Sequence, residues 1–356
     1  MRATTQRREL LEALSKVKTA VPTKPSLPVL ASVLIKADGG QITLTGNDLE
    51  VCLTGGCKAN ISKKGSVCAP VKGMEAFLKA VNAEKVTLSL SGKNRLKIEA
   101  DTALTTLEGF EAQDYPSVPK VKAKITEVIG MGKALKEISY AMAKEDSRPV
   151  LNAVCLAQEN GKMEMAAADG FRLAVTSAKA KGKLDKQIIV PSKAVRLIER
   201  LMPGKVAIHN AQATPEGFAF ASEGLVMAVM PIQGSYPNYQ QLIPKNETSL
   251  KVDCKELSNA LRVVAVTLPD NNAVRLQTRT GKLIVSTKAD EQETEVKVPT
   301  KGKIKIAFDI KFLKDTLARM GEVVTIRTKD AQSPAVFRQN GTVHVLMPMH
   351  VWGDKK

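Results

Sequence analysis

The chain repeats itself at long range, and that repeat restricts the fold to a tandem of similar domains. Pro28-Val29-Leu30 recurs as Pro149-Val150-Leu151, Pro70 as Pro191, and Tyr115-Pro116 as Tyr236-Pro237, each at an offset of 121 residues. Asp48 recurs at the same offset as Asp169 and again as Asp290. The third copy keeps Val274-Arg275-Leu276 and Lys282-Leu283-Ile284-Val285-Ser286 but lacks the Pro-Val-Leu and Tyr-Pro signals. We therefore place three domains at 1–123, 124–246 and 247–356. The period is far longer than that of a solenoid or propeller. Each copy has the size of an ordinary globular domain.

Within a copy the hydrophobic pattern alternates between two periods. Leu10, Leu11, Leu14 and Val17 lie at helical spacing, as do Met131, Leu135 and Ile138 in the second copy and Leu257 and Leu261 in the third. Ser32–Ala37, a Gly39-Gly40 turn and Gln41–Thr45 predict a hairpin. A second helix is predicted over Lys72–Val81, Lys193–Leu201 and Lys311–Leu317, and alternating strands close each copy. Helix, strands, helix, strands is an α+β domain, and the short turns favour antiparallel pairing.

Charge is the second constraint. The 356 residues carry 53 Lys+Arg against 36 Asp+Glu, a net charge of +17. The surplus is even: 18 against 12, 16 against 11 and 19 against 13 in the three copies. A basic tail would concentrate it at one end, so a surface shared by all three copies is expected to meet a polyanion, nucleic acid first. Basic residues fall on the predicted helices, among them Lys16, Lys18, Lys72, Lys79, Lys133, Lys136, Lys193, Arg196, Arg200, Lys311, Lys314 and Arg319.

Catalytic signals are missing. His209, His344 and His350 lack metal-ligand spacing, and neither a phosphate-binding loop nor a nucleophile elbow is present. Asp48, Asp169 and Asp290 sit at equivalent places in three domains, so each is predicted to cap a turn. No metal or cofactor is expected. Five Cys without metal spacing point to reduced thiols and a cytoplasmic location, and no apolar run is long enough to span a membrane.

The residues themselves resemble one family. Lys24-Pro-Ser-Leu-Pro-Val-Leu and Leu44-Thr-Gly-Asn-Asp-Leu-Glu resemble the first domain of the bacterial sliding clamps, the beta subunits of DNA polymerase III. Ser147-Arg-Pro-Val-Leu-Asn, Ala168-Asp-Gly-Phe-Arg-Leu-Ala and Tyr236-Pro-Asn-Tyr-Gln-Gln-Leu-Ile-Pro-Lys-Asn resemble the second. Val345-Leu-Met-Pro-Met-His resembles the family's C-terminal signature. The resemblance implies a noncatalytic head-to-tail homodimer, a ring with helices lining its hole. Such a ring would encircle double-stranded DNA without sequence preference and tether the replicative polymerase. The clamp loader and other clamp-binding peptides would be further partners, and a membrane would not.

Carried over by motif, the resemblance assigns Lys24, Arg148 and Lys193 to DNA. It builds a partner-peptide pocket from Leu151, Ala168, Gly170, Arg172, Leu173, Pro244, Val345, Met347, Pro348 and Met349. Independently, an apolar chain end rich in flexible Met suits an adaptable docking surface. At the subunit interface the resemblance pairs the strand near Ala103–Leu107 with the strand near Val274–Thr278. Leu107, Val266 and Val274 are then the contact residues. The chain departs from the family in having Ala168 where Thr is usual and Phe171 where His is usual. It also departs in its tail, Val351-Trp-Gly-Asp-Lys-Lys, and in its net charge. The alternatives are a basic nucleic-acid-binding repeat protein that never closes, or a divergent accessory clamp.

Overall fold

The structure, a computed structural model, describes residues 1–145, 148–212, 217–244, 248–289 and 292–351. Asp290 and the tail Trp352–Lys356 lie outside the described residues. The first copy comprises β1 (Arg2–Gln6), α1 (Arg7–Val17), β2 (Ser32–Asp38), β3 (Gln41–Asn47), β4 (Val51–Lys58), β5 (Asn60–Lys63), β6 (Gly65–Pro70), α2 (Val71–Ala80), β7 (Lys85–Ser91), β8 (Arg95–Ala100) and β9 (Ala103–Glu108). The second comprises β10 (Lys120–Ile129), α3 (Met131–Ile138), β11 (Ala153–Glu159), β12 (Lys162–Ala168), β13 (Arg172–Gly182), β14 (Ile188–Pro191), α4 (Ser192–Leu201), β15 (Lys205–Gln212), β16 (Gly217–Ser222) and β17 (Leu225–Val229). The third comprises β18 (Thr248–Asp253), α5 (Cys254–Val264), β19 (Ala273–Arg279), β20 (Lys282–Ala289), β21 (Gln292–Gly302), β22 (Lys305–Asp309), α6 (Ile310–Leu317), β23 (Val323–Thr328), β24 (Ala335–Gln339) and β25 (Thr342–Leu346). Apart from β5, the three copies run element for element.

Local chemistry accounts for the shared order. Pro70 ends β6 and caps α2, and Pro191 ends β14 before α4, where the missing proline N–H costs nothing to the helix. In the third copy Asp309 takes that place, and its carboxylate accepts from the N–H of Lys311 at 2.7 Å. The Gly39-Gly40 turn between β2 and β3 needs positive φ at both positions, 59° and 76°, which glycine adopts freely. Leu10, Leu14 and Val17 of α1 and Met74 and Leu78 of α2 are buried against Ile35, Leu44, Leu88 and Ile98 of the strands. Fully burying each such side chain contributes roughly 1.5–3 kcal/mol. Leu257, Leu261, Leu313 and Leu317 pack in the same way on Leu276, Val285, Ile306 and Ile326.

The residues group into two compact units. One is Met1–Gly132 with Ala180–Leu184 and Arg196–Pro231; the other is Lys133–Lys179 with Asp185–Val195 and Ile232–Lys356. The first unit holds a sheet ordered β5-β1-β7-β8-β9, in which β9 is an edge. In that unit β4 also pairs antiparallel with β17, Cys52 opposite Ala228 and Val51 opposite Val229. In the second unit β13 pairs antiparallel with β25, Leu173 opposite Val345 and Arg172 opposite Leu346. Each unit thus joins the fourth strand of one copy to the last strand of the next.

This topology corrects the expected interface strand. β19 carries β20 on one side, with Arg275 opposite Ser286, and β22 on the other, with Arg275 opposite Ala307. Both edges of β19 are filled, so it cannot take a strand from another subunit. Val274 is fully buried in the third-copy core and is no contact residue.

Candidate functional site

Two of the three repeated aspartates cap turns. Asp48 Oδ1 accepts from the N–H groups of Glu50 (3.1 Å) and Val51 (2.8 Å). Asp169 Oδ1 accepts from those of Phe171 (2.9 Å) and Arg172 (3.0 Å). At the second turn Gly170 has φ 94°, a conformation that suits glycine. This turn delivers Phe171 and Arg172 to the start of β13.

Arg172 is a buried strut. Its Nε donates to Asp169 Oδ2 at 2.9 Å and its Nη1 to Asp315 Oδ2 at 2.7 Å. The guanidinium lies over the Phe312 ring (4.7 Å to the centroid) and the Tyr140 ring (5.1 Å). The Tyr140 hydroxyl meets His344 Nδ1 at 2.9 Å, and burial, with Arg319 nearby, lowers the His344 imidazole to about 4. Burial pushes the Tyr140 phenol up to about 12. Leaving such a charge buried without partners would cost several kcal/mol, so the two carboxylates and two rings are what allow Arg172 inside.

Beside this strut opens a cavity of about 660 Å³. Gly170, Arg172 and Leu151 line it, together with Phe171, Lys311, Phe312 and Asp315. Phe171 is 61% exposed and stacks on Phe312, with centroids 5.7 Å apart. Leu151 is also part of a buried apolar cluster with Ala168, Leu173 and Val345. Half-buried Pro244 and Pro348 do not line the cavity, and neither do Met347 and Met349. Past β25 the backbone is tied down twice: Met347 N–H donates to Phe171 O at 2.9 Å and Met349 N–H to Ala307 O at 2.8 Å. The Met347 side chain is left 42% exposed. Of the ten expected pocket residues, three line the cavity, and Ala168, Leu173 and Val345 join it through Leu151.

Sequence reasoning missed Tyr140, Phe312, Asp315 and His344. One signal was available for two of them. Phe312 and Asp315 share a face of α6 by i,i+3 spacing, apart from the buried Ile310, Leu313 and Leu317.

The residues assigned to DNA differ in setting. Lys24 is exposed in the loop between α1 and β2. Lys193 is half-buried in the first turn of α4, and desolvation lowers its ammonium below the usual lysine range. Arg148 is exposed and lines the cavity, one guanidinium nitrogen 3.7 Å from where a Cβ on Gly170 would stand. Part of the helix charge is also neutralised. Glu75 binds both Lys18 (2.6 Å) and Lys79 (2.7 Å), which hold its carboxyl below the usual range, and Lys16 pairs with Glu12 at 2.7 Å.

At the expected interface, Leu107 on edge strand β9 is partly buried against the first-copy core. Val266 lies in a single 3-10 turn (Ala265–Thr267) after α5 and is 82% exposed, with exposed Val263 nearby in sequence. Thr267 ties that turn to Thr294 of β21 at 2.8 Å.

Comparison with known proteins comes to the same place as the repeat. Family profiles described as the N-terminal, central and C-terminal domains of the DNA polymerase III beta subunit match residues 1–119, 127–238 and 240–350. A curated protein named beta sliding clamp, from Pseudomonas aeruginosa, is 30% identical over 99% of this chain and 100% of its own length. A beta sliding clamp homolog from Streptomyces muensis, GriR, is 24% identical over 90% of this chain and 88% of its own. A crystal structure of the Pseudomonas aeruginosa clamp bound to griselimycin superposes with a TM-score of 0.89 at 27% identity, covering 99% of this chain and 100% of that one.

Proposed function

Because the chain belongs to the DNA polymerase III beta-subunit family, the sliding clamps, we propose that two copies close head to tail around duplex DNA and tether the replicative polymerase. The domain boundaries near residues 123 and 246 belong to the same reading. The observation that carries it is the twice-repeated junction, β4 on β17 and β13 on β25. A third junction of the same kind needs β21 and β9. Among the described residues β9 pairs only with β8, and β21 beyond its β20 partner pairs only over residues 300–302, with β18. Two unfilled edges, one in the first copy and one in the third, favour a partner copy. A heterologous contact of this kind closes when its rotation divides the circle.

Transferred through the repeat, the register sets Leu107 opposite Gln292 and Leu104 opposite Glu295 of the partner subunit. The equivalent hairpin residues Asp101, Glu223 and Asn340 support it, with φ of 48°, 46° and 48°. Helices carrying basic side chains would line the hole, and Lys24, Arg148 and Lys193 are the residues we assign to phosphate contact. Such contacts hold the ring on DNA without fixing its position along the sequence. The cavity beside Gly170 and the cluster around Leu151 are assigned to short peptides of the polymerase, the loader and other clients. Tethering then raises the polymerase's effective concentration at the template.

Topology is the test. Loaded on closed circular DNA, the protein should survive a salt wash that strips simple phosphate binders, whose affinity falls roughly 10³–10⁵-fold between 50 and 200 mM salt. Linearising the circle should release it. Equal retention on linear and circular DNA would overturn the ring.

A further inference from the structure

Resting on the peptide-docking reading, we propose that the cavity beside Gly170 selects peptides that set a carboxylate next to an aromatic side chain. The cations of the cavity fall into two groups. Arg172 is paired with both Asp169 and Asp315 and lies over two rings, so it is a structural support rather than a receptor for a ligand's charge. Lys144, Arg148 and Lys311 also line the cavity, and none of them has an ion pair among the described residues. Among the described residues, the remaining acid of the lining is Glu145.

The uncompensated charge is therefore positive, and it surrounds an aromatic wall. Phe171 and Phe312 stack with an interplanar angle of 23°, and the wall continues into Leu151 of the buried cluster. An incoming ring can lie on the exposed Phe171, while a neighbouring carboxylate reaches the lysines. The size, about 660 Å³, suits a few side chains. A DNA strand would satisfy the cations too, but its backbone offers nothing to fill the aliphatic wall at Leu151 and Ala143. An acidic, aromatic peptide answers both features.

The test uses two nine-residue peptides, identical except for Asp or Asn beside a central Phe, titrated onto the full-length protein by fluorescence anisotropy. Two solvent-exposed ion pairs should make the Asp peptide about three- to tenfold tighter at low salt, and added salt should erode the difference. In the double variant Lys144→Ser/Lys311→Ser the Asp-to-Asn affinity ratio should fall close to one. Phe171→Ala should weaken both peptides. Equal affinities in the native protein, or a ratio unchanged in the double variant, would overturn the selectivity while leaving docking intact. Binding of neither peptide to the folded protein would instead remove the docking reading itself. Displacement of both peptides by a single-stranded oligonucleotide, with no preference for Asp, would assign the cavity to nucleic acid.

Discussion

Val266→Asp is the sharpest probe of ring closure, and its size can be worked from the repeat. The 3-10 turn Ser139–Ala141 of the second copy corresponds to Ala265–Thr267 of the third, and Tyr140 stands where Val266 stands. Tyr140 touches Thr316 of α6 at 3.5 Å and His344 of β25 at 2.9 Å. By equivalence Val266 would meet α2 and β9 of the partner subunit. A valine moving from 82% exposed to buried contributes roughly 1.5–3 kcal/mol, and a carboxylate there adds a desolvation cost of a few kcal/mol more. A loss of about 4 kcal/mol per junction weakens association roughly a thousandfold, and a closed dimer has two junctions. Sedimentation at micromolar concentration should therefore show native dimer and variant monomer. Because Val266 is exposed within its own subunit, the monomer's unfolding midpoint should hardly move. Val274→Ala should do the reverse, costing about 1–3 kcal/mol of fold stability without altering assembly. A Val266→Asp protein that sediments as a dimer would refute the β9–β21 junction.

Acid should unfold the protein partly through His344. The unfolded imidazole takes up its proton near pH 6.5 and the folded one only near 4, so stability is lost as pH falls through that window, by about 3 kcal/mol at its end. His344→Gln keeps an acceptor for Tyr140 and should flatten the decline of the urea midpoint between pH 7 and 4.5; equal slopes would contradict the assignment. Ending the chain after Leu346 should preserve β25 and its pairing with β13 but remove both backbone ties of the Met-Pro-Met segment, so polymerase-derived peptides should bind at least tenfold more weakly by anisotropy. Ending it before Val345 should also unfold the second unit, because Val345 and Leu346 are buried.

Features set by local chemistry were legible in the sequence. The helix faces at Leu10, Leu14, Met131, Leu135, Leu257 and Leu261 are buried as their spacing requires, and the Asp48 and Asp169 turns form from bonds within three residues. The third copy hid its kinship by lacking the Pro-Val-Leu and Tyr-Pro signals and by using Asp309 to cap the helix that Pro70 and Pro191 open elsewhere. The Arg172 strut was not legible. Its partners Tyr140, Phe312 and Asp315 are remote in sequence, and Phe312 and Asp315 belong to the third copy, which meets the second where β13 pairs with β25. Edge status was equally hidden, because β19 and β21 both read as strands. The one local hint lay in β21 itself, where Glu293, Glu295 and Lys297 are exposed, the charged face by which an edge strand resists unwanted pairing.

That charged edge also distinguishes the three junctions physically. β4 and β17 meet through Val51, Cys52 and Leu53 against Met227, Ala228 and Val229. β13 and β25 meet through Leu173 and Ala174 against His344 and Val345. The proposed contact between chains instead sets Leu104, Thr105, Thr106 and Leu107 against Gln292, Glu293, Thr294 and Glu295. The first two junctions are mostly apolar, as suits contacts that form once during folding. The third is largely polar, the character of a contact between separable partners rather than of a divided core. A closed ring admits DNA only if some junction opens. In the proposed ring the same strand pairing would be used three times, with fewer apolar residues at the third, and that would confine the opening to the boundary between subunits.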